Sequence, residues 1–311
     1  MKYPKIALLS GGLSKEREVS LKSGKKIYET LKKKYRVFQY DPKKDMEKLW
    51  RDALSKKIDL VFPALHGSYG EDGKLQGFLE TLGVPYIFSG VLASSLAMDK
   101  HRSKILISNK GIPVAKDLIL RKKSEENIPN LEFPLVIKPV NSGSSVGISI
   151  TKNKQQLKKG IEEAFSHDEE IMIEEYIKGR ELTVTILGNE EPRALPVLEI
   201  KPKNSEWFDY ESKYTPGATE EICPAKIPQK IEKKIQGYAK EIFLAIGCRD
   251  LARVDFIWDQ NSGKIYFLEI NTIPGMTGTS LVPQTARADG LNFERLLDKL
   301  IEMGNSRRKH V

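Results

Sequence analysis

Nowhere in this chain is there a run of about 18 apolar residues, so no segment is expected to cross a membrane as a helix. The first residues pass directly into the strand-like run "KIALLS", and the expectation is a protein without a signal peptide. Only two cysteines occur, Cys223 and Cys248. Their spacing suits neither a metal site nor a redox pair, so they read as reduced thiols of a cytoplasmic protein. No G-x-x-x-x-G-K-[ST] and no G-x-G-x-x-G occurs, which excludes the P-loop and dinucleotide fingerprints. Internal repeats and low-complexity segments are missing as well.

What is present is a chain of 311 residues with 51 Lys plus Arg against 42 Asp plus Glu, a net charge of +9. That length supports two or three packed domains, and the charge favours acidic ligands without naming one. Segments such as "KSGKKIYETLKKKYR" and "QKIEKKIQGYAK" place lysines on the outer faces of amphipathic helices. Interspersed charge of this kind reads as a solvated face and not as a nucleic-acid patch.

The first hundred residues alternate strand and helix: "KIALLS", a helix over 16 to 34, "RVFQY", a helix near 44 to 56, "IDLVFPALHG", a helix from 73, then "VPYIF". This rhythm predicts a parallel sheet covered on both faces, with ligands gathering at the carboxyl ends of its strands. Those ends carry "SGGLSKERE" and "HGSYGEDG". "SSLAMDKHRSKILISNKG" reads as one helix. A small α+β unit follows, made of "FPLVIKPVNSGSSVGISIT", a helix near 153 to 166 and "EIMIEEYI". From "RELTVTIL" onward, four strand-like runs, one long helix and a terminal helix form a third block. The aperiodic stretch 201 to 228 is too long for an ordinary connection and reads as a lid.

Two strands carry the metal chemistry. In "LARVDFIW" Arg253 and Asp255 share one face, and in "LEINTIPGMTGTSLVP" Glu269 and Asn271 do the same, because side chains at i and i+2 point the same way. If the strands pair across the "DQNSGK" turn, three oxygen ligands and a guanidinium converge on one patch. Magnesium is commonly held by one or two carboxylates plus substrate phosphates, which Asp255, Glu269 and Asn271 would satisfy. Upstream, "FPLVIKPVNSGSSVGI" delivers Lys138 and then Gly143, Ser144, Ser145 and Gly147. Small residues let backbone N–H groups approach phosphate oxygens, and Lys138 with Lys100 of "MDKHRSK" adds positive charge.

Taken in order, "GGLSKEREVSLKSG", "HGSYGEDGKLQG", "MDKHRSK", "VIKPVNSGSSVG", "DYESKY", "ICPA", "RVDF" and "LEINTIPGMTGTSLVP" resemble the D-alanine:D-alanine ligases of the ATP-grasp superfamily. The resemblance runs from about residue 4 to about residue 297. It implies an α/β protein with an α+β central part and three domains. These are a Rossmann-like parallel-sheet domain at 1–97, a central ATP-grasp domain at 98–180, and a C-terminal ATP-grasp domain at 181–311 carrying the metal site and the 201–228 lid. It also implies ATP as co-substrate, two Mg2+ or Mn2+ ions, D-alanine as substrate and a homodimer, with no nucleic-acid or membrane partner.

Carried over position by position, the resemblance makes Lys100 and Lys138 phosphate contacts. It puts Glu174, Glu175 and Ile177 at the adenine edge and Glu181 on the ribose hydroxyls, and Tyr176 among them offers a flat apolar contact to the nucleotide. Many relatives have lysine where this chain has Glu175, so that contact is expected from main chain. Asp255, Glu269 and Asn271 match the metal cluster. Glu16 matches the group that receives the first D-alanine's ammonium, and His66 lies in the neighbouring loop as a substrate-binding residue. Arg253 and the Gly275 N–H match the oxyanion donors, Ser280 and Leu281 the site of the second substrate's carboxylate. Ser144, also near the nucleotide, and Tyr214 match the partners that join Glu16 to shut the lid. The implied reaction passes through an acyl phosphate, which the lid would keep from water. Ligases that use D-lactate resemble this family but commonly carry phenylalanine at the lid position, and Tyr214 argues against that nucleophile. A regulator that had lost the chemistry would have no need of intact Arg253, Asp255, Glu269 and Asn271.

Overall fold

Strands β1 (Ile6–Leu9), β2 (Val37–Tyr40) and β3 (Leu60–Pro63) of the computed structural model form a parallel sheet in the order β2-β1-β3. The structure describes residues 3–122, 131–141, 143, 146–203 and 219–307. Period-two alternation sorts the side chains of β1. Ile6 and Leu8 join one core with Ile27 and Leu31 of helix α1 (Arg17–Leu31), while Ala7 and Leu9 join another with Leu49 of α2 (Met46–Leu54) and Leu75 of α3 (Lys74–Thr81). The sheet is therefore covered on both faces, as its sequence rhythm predicts.

The run expected as one helix is two. Helix α4 (Val91–Met98) ends at Asp99, whose extended backbone (φ −80°, ψ 97°) breaks the spiral, and α5 (Lys100–Ser108) starts immediately after it. Asp99 caps α5 by accepting from the Arg102 N–H at 2.8 Å, a cap that satisfies one of the orphan donors of the first turn. The periodicity across 91–108 carries on through the break, which is why the sequence hides it.

A second, antiparallel sheet has the order β4-β7-β5-β6, from β4 (Asp117–Arg121), β5 (Leu135–Pro139), β6 (Ser149–Thr151) and β7 (Glu170–Glu175). Leu120, Leu135, Ile137, Ile171 and Ile173 pack on Leu157 and Ile161 of α6 (Lys154–Phe165). The register sets Asp117 opposite Glu174, and Lys138 opposite Met172, so the other face of this sheet is polar.

The third sheet contains β8 (Arg180–Leu187), β9 (Arg193–Ala194), β10 (Leu198–Pro202), β11 (Thr219–Ile222), β12 (Leu251–Trp258) and β13 (Ile265–Asn271). Its order is β11-β10-β8-β12-β13, with β9 on β8. Four strand-like runs are legible in this stretch; the two missed are the short β9 and the polar edge strand β11, whose "TEEI" sequence shows no apolar alternation. The expected lid of 201–228 is thus partly sheet, because residues 219–222 pair with residues 199–202. Helix α7 (Gln229–Ile246) covers this sheet through Ile235, Ala239, Ile242 and Phe243. The expected terminal helix is α9 (Phe293–Ser306), and an unexpected short helix, α8 (Leu281–Ala288), precedes it, the two separated by a turn at Gly290 with φ +77°. Leu296, Leu297, Leu300 and Ile301 of α9 return to the first sheet and share its core with Ile6, Leu8 and Leu60. That return ties the third sheet to the strand ends of the first.

Candidate active site

Strands β12 and β13 pair as the hairpin that their sequences anticipate. Arg253 stands opposite Asn271 and Asp255 opposite Glu269, and a bulge follows between Asp255 and Phe256. A bulge at this point ends the regular pairing beside the functional side chains. Asp255 takes Arg253 Nη2 at 2.7 Å and Nε at 2.9 Å, and it accepts from Thr183 Oγ1 at 2.5 Å. Burial of Arg253 works against its charge, but Asp255 outweighs that cost with help from Glu269 and Glu71, and the guanidinium is held well above its ordinary pKa. Asn271 Oδ1 accepts from the Ile273 N–H at 3.1 Å, which fixes the amide.

Could this patch hold a divalent ion? The donors are hard oxygens, two carboxylates and an amide, the type magnesium takes. Among the described residues no cluster of three or more His, Cys, Asp or Glu side chains could hold a metal by itself. The set therefore fits an ion that completes its shell from nucleotide phosphates and water. Lys100, the first residue of α5 and 5 % exposed, brings Nζ to 3.7 Å from Glu269 Oε2. A small cavity there is lined by Glu16, Glu71, Lys100, Gly143, Glu269 and Asn271.

Glu16 sits at the start of α1, just past the carboxyl end of β1. Two glycines make room for it. A Cβ on Gly67 would fall 2.2 Å from Glu16 Oε2, and one on Gly143 would fall 2.8 Å from the same atom. The loops after β1, β3 and β5 thus meet at a single carboxylate. Ser144 and Tyr214, the two expected partners of Glu16, lie outside the described residues.

His66 is buried at the end of β3. Its Nδ1 donates to the Ile273 carbonyl at 3.0 Å, and Nε2 lies 3.1 Å from Ser23 Oγ. A carbonyl can only accept, which assigns the proton to Nδ1 and makes Ser23 the donor to Nε2. Burial drives the ring's pKa down to about 4, so the imidazole is neutral at physiological pH. Both nitrogens are engaged by protein, and Ser23 Oγ also accepts from the Met276 N–H at 3.3 Å. His66 therefore secures the 273–276 loop while its ring lines the cleft.

Sequence reasoning passed over Glu71, although it lies in the quoted "HGSYGEDG". It is buried and accepts from the Gly67 N–H at 2.5 Å, and its Oε1 has no hydrogen-bond partner among the described residues. Burial first, and the neighbouring Glu16 charge second, raise its pKa well above the usual carboxylate range. The signal was available as a second acid at the same strand end.

Beyond Arg253 a cleft of about 230 Å³ is lined by His66, Gly275, Ser280 and Leu281 together with Glu16 and Glu71. Gly275 has no room for a side chain, since a Cβ would meet Ser280 Oγ at 2.8 Å. Ser280 precedes α8 and accepts from the Thr277 N–H at 2.9 Å, and Leu281 is buried against Leu198 and Ile200. Eight sequence-selected residues, Glu16, His66, Arg253, Glu269, Asn271, Gly275, Ser280 and Leu281, therefore share one cleft.

The expected nucleotide residues divide. Glu174 carries its carboxylate between two lysines, Lys104 and Lys138. The N–H groups of Glu175 and Tyr176 are taken by Lys116 and Pro134 carbonyls at 3.0 and 3.2 Å. A backbone donor to an adenine has to come from beyond Tyr176, at Ile177. Glu181 lies on β8 opposite Ile200 and Ile257, next to the β7–β8 connection.

This arrangement, a parallel sheet followed by two antiparallel sheets, is the ATP-grasp fold. The chain matches the family description "D-ala D-ala ligase C-terminus" over residues 106–302 and "D-ala D-ala ligase N-terminus" over residues 39–89. It is 47% identical to the D-alanine–D-alanine ligase of Syntrophobacter fumaroxidans, with 96% of each chain covered. With the enzyme of that name from Desulfotalea psychrophila it shares 48% identity, covering 98% of this chain and 96% of the relative. Among solved structures, the Bacillus anthracis D-alanine–D-alanine ligase complexed with ATP superposes with a TM-score of 0.85 at 34% identity and 99% coverage of both chains. The VanG D-Ala:D-Ser ligase of Enterococcus faecalis does so with a TM-score of 0.83 at 37% identity, covering 97% of this chain and 99% of that one. The chain belongs to the D-alanine–D-alanine ligase family.

Proposed function

We propose that the chain joins two D-alanine molecules into D-alanyl-D-alanine at the expense of ATP, through an acyl phosphate. The observation that carries this reading is the meeting of Glu16, Arg253 and Gly275 around one cleft whose other end is the Asp255–Glu269–Asn271 hairpin. An ammonium-binding carboxylate, an oxyanion-binding guanidinium and a phosphate end are what a phosphoryl transfer followed by an acyl transfer requires.

Glu16 receives the ammonium of the first D-alanine, whose carboxylate oxygen attacks the γ-phosphorus as ADP leaves. Lys100 and Lys138 hold phosphate oxygens, and Arg253 stabilises charge that develops on the transferring group. The amine of the second D-alanine then attacks the acyl carbon, and after it loses its proton the tetrahedral intermediate collapses with cleavage of the acyl C–O bond, releasing phosphate and leaving the dipeptide. The oxyanion of that tetrahedral intermediate is held by Arg253 and the Gly275 N–H, while Ser280 and the backbone at Leu281 hold the incoming carboxylate. His66 keeps the 273–276 loop in place and does not exchange protons with substrate, because both its nitrogens are already engaged. Ile177 reads the adenine edge with the Glu175 and Tyr176 backbone, and Glu181 binds the ribose hydroxyls. Tyr214 and Ser144 close the 201–228 lid with Glu16.

The resident cofactors of this reading are two divalent ions, magnesium or manganese, held by Asp255, Glu269 and Asn271. When bound they neutralise the charge of the phosphoryl group. The remaining assignments are a three-part division at 1–97, 98–180 and 181–311, a homodimer, and a place in peptidoglycan precursor synthesis in the cytoplasm. No helix among the described residues is long and apolar enough to cross a membrane.

The fold does not set the second nucleophile, since a D-Ala:D-Ser ligase shares it. The test is phosphate release from ATP with D-alanine alone and with D-alanine plus D-serine or D-lactate, the products being weighed by mass spectrometry. Release that depends on D-alanine and gives the dipeptide as the main product supports the reading. A mixed product outweighing the dipeptide at equal concentrations contradicts it.

A further inference from the structure

Lys104 occupies the last position of "MDKHRSK" and is 2 % exposed, yet no step of the chemistry above uses it. A buried ammonium is costly unless every one of its protons is paired. Here all three are. Nζ donates to the Ala115 carbonyl at 2.8 Å, to Asp117 Oδ1 at 2.9 Å, and to Glu174 Oε1 in a short contact. The three acceptors come from the segment before β4, from β4 and from β7, and the donor comes from α5, so one ammonium pins a helix to two strands.

The pairing continues toward the cleft. Glu174 gives its other oxygen, Oε2, to Lys138 Nζ at 2.6 Å. Lys138 is itself 6 % exposed and sits on β5, three residues before the loop that begins at Asn141. Asp117, Met172, Glu174 and Lys138 share one face of the second sheet by register, and Ile171, Ile173 and Ile137 share the opposite, apolar face. Two cations alternate with two anions on the polar face, in the order Asp117, Lys104, Glu174, Lys138. Without Lys104, Asp117 and Glu174 would face each other across adjacent strands at directly paired positions, an arrangement of like charges that destabilises a sheet.

We propose that Lys104 is a positioning residue for nucleotide binding: it fixes the Glu174 carboxylate, and through it the height at which Lys138 presents its ammonium to the phosphates. Lys104 does not touch substrate. Glu174 is shared between two lysines, so its pull on Lys138 is divided. When Lys104 is removed, Glu174 keeps Lys138 as its one ammonium partner and draws it away from the phosphates. This inference rests on the site reading given above, in which Lys138 contacts ATP.

The test uses the full-length enzyme and two readouts, ADP affinity by calorimetry and the KM values for ATP and D-alanine. Lys104→Met keeps the apolar stem and removes all three hydrogen bonds. A hydrogen bond to a charged group contributes roughly 1.5 to 3 kcal/mol, so ADP affinity and KM for ATP should each worsen by about tenfold or more, with KM for D-alanine unchanged. Lys104→Arg retains the charge and should restore part of the loss. The double variant Lys104→Met/Glu174→Gln removes both the ammonium and the charge it neutralised. It should recover thermal stability relative to Lys104→Met without recovering ADP affinity, because Lys138 is then released from that pull but has lost the Glu174 carboxylate that holds it at its height. Wild-type ADP affinity in either folded variant overturns the inference, and so does an equal loss for ATP and D-alanine. Lys138→Met separates the two levels: unchanged ADP affinity there would overturn the site reading itself, whereas a loss in Lys138→Met without one in Lys104→Met overturns only the role of Lys104.

Discussion

Asp255 and Glu269 face each other across adjacent antiparallel strands, with Arg253 gripping Asp255 and Lys100 Nζ 3.7 Å from Glu269. Like charges directly opposite on a sheet repel. The pair therefore makes a demand for positive charge, which a divalent ion carrying phosphates would help to meet.

Glu269→Gln keeps the volume and removes that demand. Turnover should fall on the order of a thousandfold or more, the loss of several kcal/mol of charge stabilisation in the transition state. The melting temperature should hold or rise, because an anion facing Asp255 has gone. Steady-state rates at saturating magnesium, set beside a thermal melt, check both halves.

Glu16→Gln should act on the amino acid and spare the nucleotide. A charge-assisted contact to an ammonium contributes roughly 1.5 to 3 kcal/mol, so D-alanine should bind about ten- to a hundredfold more weakly. Calorimetry with D-alanine and with ADP distinguishes this from a general loss, and an equal weakening of both would move Glu16 out of the substrate site.

His66 predicts a loss of stability in acid. Its pKa, about 4 in the fold against 6.5 for an unperturbed histidine, means the unfolded chain binds the proton first as pH falls. Stability that is fully present above pH 6.5 is lost as the pH drops toward 4, by about 3 kcal/mol at most from this one group. Urea midpoints measured between pH 7 and pH 4.5 should fall more steeply in the wild type than in His66→Gln, which cannot titrate.

Glu71 has the opposite sign. Burial and the Glu16 charge raise its pKa in the fold, so the unfolded chain loses the proton first as pH rises, and stability declines above the ordinary carboxylate range. Glu71→Gln should be more stable than the wild type at neutral pH, with the difference closing as the pH is lowered through that range. A thermal melt series across pH reads this directly.

How much of this was legible beforehand follows from the distance over which each feature is encoded. Glu269 and Asn271 sit two apart on one strand, and Asp255 and Arg253 do the same, so strand periodicity and a short turn were enough to assemble them. Three strands of the parallel first sheet were equally plain, because each strand end and its loop are contiguous in sequence, whereas the fourth expected run, "VPYIF", makes only an isolated bridge between Tyr86 and Val61. Lys104 was not legible: its partner Glu174 is 70 residues away on another element, and nothing local marks the pair. The division at Asp99 was missed because the apolar pattern continues across it, although an aspartate before "KHR" is a helix-start signal. The engagement of both His66 nitrogens depends on Ser23 and on Ile273, which the fold brings together from 207 residues further along the chain. The polar β11 carried no alternation, and its pairing with β10 is set by tertiary context alone.

The most direct test of the account is the fate of the substrate's own oxygen. D-alanine labelled with oxygen-18 in its carboxylate is turned over with unlabelled ATP, and the released phosphate is weighed. Attack of the carboxylate on the γ-phosphorus followed by cleavage at the acyl carbon must leave one labelled oxygen in the phosphate for each dipeptide formed. Unlabelled phosphate accompanying labelled dipeptide would mean that no acyl phosphate forms, and the roles given to Lys138, Arg253 and the Asp255–Glu269 hairpin would have to be abandoned.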